Sequence, residues 1–343
     1  MEAVREYGFI NAKVRAMRSR FLTEASFRQL AATRDSRELA SALAQTRYRD
    51  AMNGVDPASV EAVESAIERF ETGELLVILK YAKSGSADLV RLLIERYDVE
   101  RLKACLRLVH GGSAPVEPPA GKPLVMSFSE QAVAAAGSFR EAAALVPDAD
   151  YRKALESSAA EVEERRTLFP AELALDRTLF GRIWKAGQSM NSRDRGIVRR
   201  LLGIEIDLKN LDWLSRFRNY YKLSASESLD LLLPNGSKLD AKALHRMAAE
   251  ERIGDAFGRV SAGTGVPAPE AGTGPAAIES MERFLSHVLL AGARRAFIGN
   301  PLSIGSILGY FYCLRAETRN VRTLFTARRL GLDPHQAEAH LVL

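Results

Sequence analysis

Three stretches of this 343-residue chain share one pattern, and they recur at intervals of about one third of its length. Each has an acidic residue at its second position and continues with apolar residues at the three- and four-residue spacing of one helix face. The stretches are YDVERLKACLR from Tyr97, IDLKNLDWLSRFR from Ile206 and AETRNVRTLFTAR from Ala316. Their aligned acids are Asp98, Asp207 and Glu317. The pattern predicts three homologous helical domains, of residues 1–112, 113–233 and 234–343.

Other marks recur in the same order and support this repeat. An asparagine follows the acid at Asn210 and Asn320, whereas the first copy has Arg101 there. An opening signature leads from Ser36 to Tyr48 and from Ser138 to Tyr151, and it is degraded in the third copy at 253–256. Between the opening signature and the acid-led stretch, each copy has an apolar–acid pair, at Ile67-Glu68, Leu175-Asp176 and Met281-Glu282. Self-similarity at a fixed period indicates copies of one structural unit.

The chain favours helix nearly throughout. Residues of high helix propensity dominate, and the alternating runs of β-branched residues that are typical of strands are nearly absent. Helix breakers concentrate at 110–123 and 233–238, which we interpret as domain linkers, and at 258–275, which we interpret as a surface loop. We therefore predict an all-α protein.

One uncharged stretch, Ala296–Leu314, is nearly long enough to span a bilayer. It contains polar residues and glycines, and Asn300-Pro301 is typical of a helix start, so we predict a buried helix that begins there. The two cysteines, Cys105 and Cys313, cannot form a disulfide framework, and we expect them to behave as small apolar residues in a reducing compartment. The N-terminus has no secretory signal pattern.

Charge is unevenly distributed along the chain. The formal net charge is +5, but residues 181–222 alone hold ten basic and four acidic residues. This segment is compatible with a solvated helix face or with contact to acidic proteins or anionic headgroups. A third alternative is a nucleic-acid surface that also uses Trp184, Trp213, Tyr220 and Tyr221. The interface candidates within the segment are Arg193, Arg195, Arg199 and Arg200.

Recognisable catalytic motifs are missing from the sequence. Gly121-Lys122-Pro123 has proline where a phosphate-binding loop needs a hydroxyl, and His335 and His340 do not share a helix face. We expect no catalytic, cofactor or metal site, and an enzyme acting on a small molecule is the least favoured function.

Four segments resemble a known family. They are Tyr7–Ala16, Ser36–Tyr48, Ile206–Arg216 with its D-x-x-N-L pattern, and Gly309–Leu324 with its E-x-x-N pattern. The chain resembles the C subunits of the archaeal and bacterial V/A-type ATPases (ATP synthases), which are similar to the d subunit of the eukaryotic V-ATPase. The resemblance extends over the whole length, and a three-part internal repeat is a trait of that family.

The resemblance implies a non-catalytic adaptor without a cofactor. Three similar domains would form a pseudo-threefold funnel, peripheral on the cytoplasmic face of the membrane proteolipid ring and present in one copy per complex. The funnel would receive the central D–F shaft, which is built from the D and F subunits, and transmit torque for ATP-coupled proton or sodium transport. No nucleic-acid partner is implied, and a helical nucleic-acid-binding scaffold remains the alternative function.

The repeated polar residues have two alternative roles. Asp98, Asp207 and Glu317 either form contacts inside their own domains, for instance with arginines, or line the central opening and help to hold the shaft. Because a buried acid is costly unless it is paired, both alternatives predict a basic partner. With Asn210 and Asn320, these acids complete the set of candidate interface residues.

Overall fold

The computed structural model describes residues 2–111, 123–217, 221–249, 261, 264–267 and 274–343. The all-α prediction is confirmed, because these residues contain helices and no strand. The helices are α1 (Glu2–Arg18), α2 (Glu24–Ala31), α3 (Ser36–Leu43), α4 (Arg49–Met52), α5 (Val60–Tyr81), α6 (Ser84–Gly111), α7 (Glu130–Ala134), α8 (Phe139–Ala144), α9 (Ala149–Arg165), α10 (Phe169–Ser189), α11 (Ser192–Arg216), α12 (Ala225–Asp230), α13 (Ala241–Ala248), α14 (Gly274–Ile298), α15 (Gly305–Arg329) and α16 (Pro334–Ala339).

Some sequence predictions fall outside the described residues. They are the third opening signature at 253–256, most of the first predicted linker and most of the predicted loop at 258–275.

The recurring opening signature is a helix start. Ser138 caps α8 by accepting the amide of Glu141, and Asp35 caps α3 by accepting the amide of Glu38. In both copies the glutamate side chain accepts a hydrogen bond from the amide four residues before it. Each signature therefore satisfies amides that the first helical turn leaves unpaired, which explains why these residue types recur together.

The described residues cluster into two compact units. The first, Lys83–Met190, contains α6 to α10, with α6 packed against α7, α8 and α10. Ion pairs join these helices inside the unit. Lys103 of α6, which is buried, donates to Asp176 of α10 at 2.5 Å. Arg101 of α6 forms a two-pronged pair with Glu130 of α7, at 2.5 and 3.1 Å.

The second unit comprises Met1–Ala82 and Asn191–Leu343. Its helix α15 packs against α14, α1, α5 and α11. One core joins α2–α5 to the end of α15 and to α16, and its buried side chains include Leu39, Tyr48, Ile67, Leu324 and Phe325. The last helices of the chain thus share a core with its first helices.

The helix predicted to start at Asn300-Pro301 begins instead at Gly305. The Asn300 side chain accepts the amide of Leu302 at 2.7 Å, and the Ser303 hydroxyl donates to the Asn300 carbonyl at 2.7 Å. These bonds close a turn rather than cap a helix, so the predicted start was wrong. The predicted burial is correct, because all residues from Gly305 to Leu314 are buried. Among the described residues, no helix is long and apolar enough to cross a membrane.

Glycines set the closest approach between α14 and α15. A Cβ on Gly309 would lie 2.6 Å from the Ala293 carbonyl oxygen and 2.7 Å from the Phe297 Cβ. A Cβ on Gly305 would lie 2.7 Å from the Ala296 carbonyl oxygen. Backbone contacts this close leave no room for any side chain.

We expect Gly309→Ala to lower the free energy of unfolding by about 1–3 kcal/mol, the usual cost of overpacking. Gly196→Ala in α11 is the matched control, because a Cβ there meets no atom within 4 Å. The control should be neutral, or stabilising by up to about 1 kcal/mol through helix propensity. Urea denaturation followed by circular dichroism measures both, and equal stability of the two variants would contradict the close approach.

Candidate functional site

The first repeated acid, Asp98, lies fully buried on α6. Its carboxylate accepts the backbone amides of Leu124, Val125 and Met126 at 2.6, 2.8 and 2.8 Å. These three residues lie between α6 and α7, so one side chain holds the connection that leads into the next short helix. The donors are main-chain groups, and the expectation of a basic hydrogen-bonding partner is wrong here.

The second repeated acid, Asp207, is fully buried on α11. Its Oδ2 accepts the amides of Ser237 and Lys238 at 3.0 and 2.6 Å, so the donors are again main-chain groups rather than a basic side chain. A Cβ on Gly236 would lie 2.1 Å from Asp207 Oδ1, so only glycine allows this approach. Burial raises the pKa of the Asp207 carboxyl to about 7, although the amides of Lys238 and Ser237 favour the ionised form.

The third repeated acid, Glu317 of α15, is the one with a basic partner. It accepts the amide of Leu22 at 2.6 Å, the Tyr48 hydroxyl at 3.0 Å and the Arg47 guanidinium at 3.4 Å. Burial raises the pKa of its carboxyl to about 7, and Arg47 opposes that shift. An arginine partner is therefore present for Glu317 alone, and Arg47 belongs to the predicted first domain rather than to the predicted third domain that contains Glu317.

Asn210 and Asn320 make the same pair of contacts in the second and third copies. The Asn210 side chain donates to the Leu233 carbonyl at 3.0 Å and accepts the Leu233 amide at 2.8 Å. Asn320 does the same with Val342, at 2.8 and 3.0 Å. A carboxamide is suited to this task because it offers a donor and an acceptor side by side. In the first copy, Arg101 instead binds the Glu130 carboxylate.

The sequence analysis missed two short helices that precede Leu233 and Val342, the residues bound by the two asparagines. Helix α12 ends three residues before Leu233, and α16 ends three residues before Val342. Both have six residues, and both start with a capping box, formed by Ser224 with Glu227 and by Asp333 with Gln336. The S-x-x-E and D-x-x-Q patterns were readable signals of these starts.

A different buried acid, Asp194, joins three helices of the second unit. It is 1% exposed near the start of α11. It accepts the Tyr7 hydroxyl of α1 at 2.8 Å, the Asn191 side-chain amide at 2.6 Å and the Ile304 amide before α15 at 3.0 Å. Burial and the Asp194 charge raise the pKa of the Tyr7 hydroxyl, so the phenol stays protonated and donates.

The four candidate arginines lie in the first three turns of α11, close in sequence to Asp194. Arg193, Arg199 and Arg200 are exposed, whereas Arg195 is half-buried. The candidate residues therefore fall into two classes. The acids and asparagines are buried and bind main chain or side chains of this protein, while three of the arginines reach the surface.

The basic segment at 181–222 is divided between the two compact units at Met190. Trp213 is 4% exposed and lies 6.3 Å from the Phe217 ring, Trp184 is half-buried, and Tyr220 lies outside the described residues. Single-stranded nucleic acids stack on exposed aromatic rings. Because Trp213 is buried, it cannot serve as the stacking residue that the nucleic-acid alternative assigned to it.

Within the described ranges, no group of three or more His, Cys, Asp or Glu side chains is placed to hold a metal ion. Cys105 and Cys313 are buried with raised thiol pKa values, in each case chiefly through burial, as expected of small apolar residues.

Comparison with known proteins places the chain in a family. The family described as ATP synthase (C/AC39) subunit matches residues 10–340. The chain belongs to this family. It is therefore a subunit of a rotary ATPase, as the resemblance implied.

Curated relatives align over nearly the whole chain. The C subunit of the A-type ATP synthase of Haloferax volcanii is 24% identical, and the alignment covers 98% of this chain and 97% of the relative. The corresponding C subunits of Desulfurococcus sp. (strain SY) and Pyrococcus abyssi are 26% and 23% identical. Each alignment covers 96% of this chain, with 89% and 88% of the respective relative.

The raised pKa of Asp207 predicts how the free energy of unfolding depends on pH. Between about pH 4 and pH 7 the folded chain holds the Asp207 proton more tightly than the unfolded chain, so this group lowers the free energy of unfolding as pH rises. One such group contributes a slope of up to about 1.4 kcal/mol per pH unit. We expect Asp207→Asn, whose carbonyl oxygen can accept the same two amides, to flatten the pH dependence over that range.

Denaturation in urea at several pH values measures this slope. Asp230→Asn, at the exposed end of α12, is the matched control and should leave the curve parallel to that of the unsubstituted chain. A parallel curve for Asp207→Asn as well would show that the Asp207 carboxyl is ionised throughout.

Proposed function

We propose that this chain is the non-catalytic socket of a V/A-type ATPase, joining the D–F shaft to the membrane proteolipid ring. Residues 1–112, 113–233 and 234–343 form three homologous domains about a pseudo-threefold axis, with one copy per complex. The protein sits on the cytoplasmic face of the ring and transmits torque for ATP-coupled ion transport. Family membership supports the proposal, as do the names of the relatives, which are C subunits of A-type ATP synthases.

The observation that carries the proposal is the shared clamp of Asn210 and Asn320. Two side chains at equivalent positions of the repeat bind one main-chain residue each, through the same two hydrogen bonds. Two sequence copies that repeat a buried polar contact support duplication of one structural unit. A part built from such copies suits a partner of rotational symmetry, since similar copies offer similar surfaces around an axis.

Torque transmission requires stiffness between helices. Helix cores are packed to near-crystalline density and transmit strain, but connections between helices are ordinarily the softer parts of a chain. Here the connections at Leu124–Met126 and Leu233–Lys238 are held from inside by Asp98, Asp207 and Asn210. These hydrogen bonds therefore restrict backbone motion in the connections, which would otherwise be the most deformable parts of a helical socket.

The candidate interface residues divide into two roles in this proposal. The exposed arginines on α11, Arg193, Arg199 and Arg200, contact a partner directly. The buried residues shape the surfaces around them by fixing the connections to which they bind. They are Asp98, Asp207, Asn210, Glu317 and Asn320.

Reconstitution tests the proposal directly. The purified chain is mixed separately with detergent-solubilised proteolipid ring and with the D–F shaft of the same organism, and each mixture is analysed by size-exclusion chromatography. We expect the chain to co-elute with both, in one copy per ring. A chain that co-elutes with neither partner contradicts the proposal.

A further inference from the structure

Three parts of the second compact unit meet at Asp194. Tyr7 brings α1 to this carboxylate, and the Ile304 amide brings the turn before α15. Two further contacts fix the same arrangement. The Ser306 hydroxyl donates to the Asn11 side chain at 2.7 Å, and Arg15 donates to the Phe297 carbonyl at 3.3 Å. We call the exposed side chains of 6–18, 193–204 and 289–306 the junction surface.

The junction surface is strongly basic. Its three segments contain nine Lys and Arg residues, of which six arginines are exposed, and two acids, half-buried Glu6 and buried Asp194. Asp194 is buried and accepts three hydrogen bonds, so it offers no charge to the surface. The formal excess of positive charge in these segments exceeds the +5 of the whole chain. Such a concentration of one sign attracts a partner of the opposite sign.

The basic groups are mostly arginines, and two of them are held in place. The Arg15 guanidinium lies 5.4 Å from the centre of the Phe297 ring and also donates to Asn11 at 3.1 Å. The Arg18 guanidinium lies 5.0 Å from the centre of the same ring. Planar guanidinium groups that are fixed in this way suit carboxylates at fixed positions, because less freedom is lost when the pair forms.

An exposed apolar residue lies at the same place. Ile298 follows Phe297 at the end of α14, and 75% of its surface is exposed. Phe9 of α1 is 62% exposed, so two large apolar side chains lie among the basic residues of these segments. Apolar contacts within a polar rim are common in protein interfaces.

We propose that the junction surface is the docking site for a carboxylate-rich protein surface of the rotor, rather than for lipid or nucleic acid. Ile298 supplies the apolar contact, and the arginines of α1 and α11 supply the charge pairs. This inference rests on the proposed function, because that function provides the shaft and the ring as neighbouring proteins.

Charge reversal of the full chain tests the inference. Arg193→Glu combined with Arg200→Glu changes two exposed side chains. Arg193 lies in the first turn of α11, where an acid is compatible with the helix. Ile298→Asp removes the apolar contact in a second variant. The matched control is Arg91→Glu combined with Arg177→Glu, which reverses two exposed arginines of the other compact unit.

Binding is measured by biolayer interferometry against immobilised D–F shaft and proteolipid ring, one partner at a time. We expect both junction variants to bind at least one partner roughly tenfold or more weakly, while the control binds as the unsubstituted chain does. The loss caused by charge reversal should shrink as salt is raised, since exposed charges are screened.

Two results would overturn the inference. One is unchanged binding of both partners by both junction variants. The other is flotation of the unsubstituted chain with vesicles of equal phosphatidylcholine and phosphatidylglycerol that charge reversal abolishes while protein binding persists. If the unsubstituted chain binds neither shaft nor ring, the proposed function fails and this inference fails with it, whereas a failure confined to the variants leaves the proposed function standing.

Discussion

Buried side chains that bind the main chain between helices determine how this molecule is held together. A backbone amide outside a helix has no partner of its own, and leaving it buried and unpaired costs about 1–3 kcal/mol. Asp98 satisfies three such amides and Asp207 satisfies two. Each carboxylate is itself costly to bury without donors. The connection and the acid therefore depend on each other, and neither could keep its place alone.

In the third copy, buried side chains also bind main-chain groups, but these groups lie near the two ends of the chain. In the second copy, Asn210 binds Leu233 and Asp207 binds Ser237, so both contacts fall on one continuous connection. In the third copy, Asn320 binds Val342 near the C-terminus, whereas Glu317 binds Leu22. Helix α15 thus binds one residue near each end of the sequence, Leu22 and Val342. Helix α11, in contrast, binds two residues of a single connection. This explains why α2–α5 share a core with α15 and α16.

The sequence was sufficient to predict features that depend on local patterns. The composition of the uncharged stretch predicted its burial, and all residues from Gly305 to Leu314 are buried. Alignment of the repeats placed Asn210 and Asn320 at equivalent positions, and their side chains make equivalent contacts. The helical class follows from residue propensities, which act over a few residues and can be read directly.

Features that depend on distant residues could not be predicted. The start of α15 is decided partly by Asp194, which binds the Ile304 amide from 110 residues away. A local pattern at Asn300-Pro301 gave no sign of that acceptor. Likewise, residue type alone predicted a basic partner for Asp98, although main-chain amides satisfy a carboxylate equally well. The nature of a buried acid's donor is a property of the fold, not of the acid.

Amide hydrogen exchange of the full chain, resolved to single residues, tests this account most directly. Leu124, Val125, Met126, Ser237 and Lys238 lie outside helices, yet their amides are bound to Asp98 or Asp207. We expect these five amides to exchange as slowly as amides in the middle of α6 and α11. Exchange at the rate of exposed, unbound amides would contradict it.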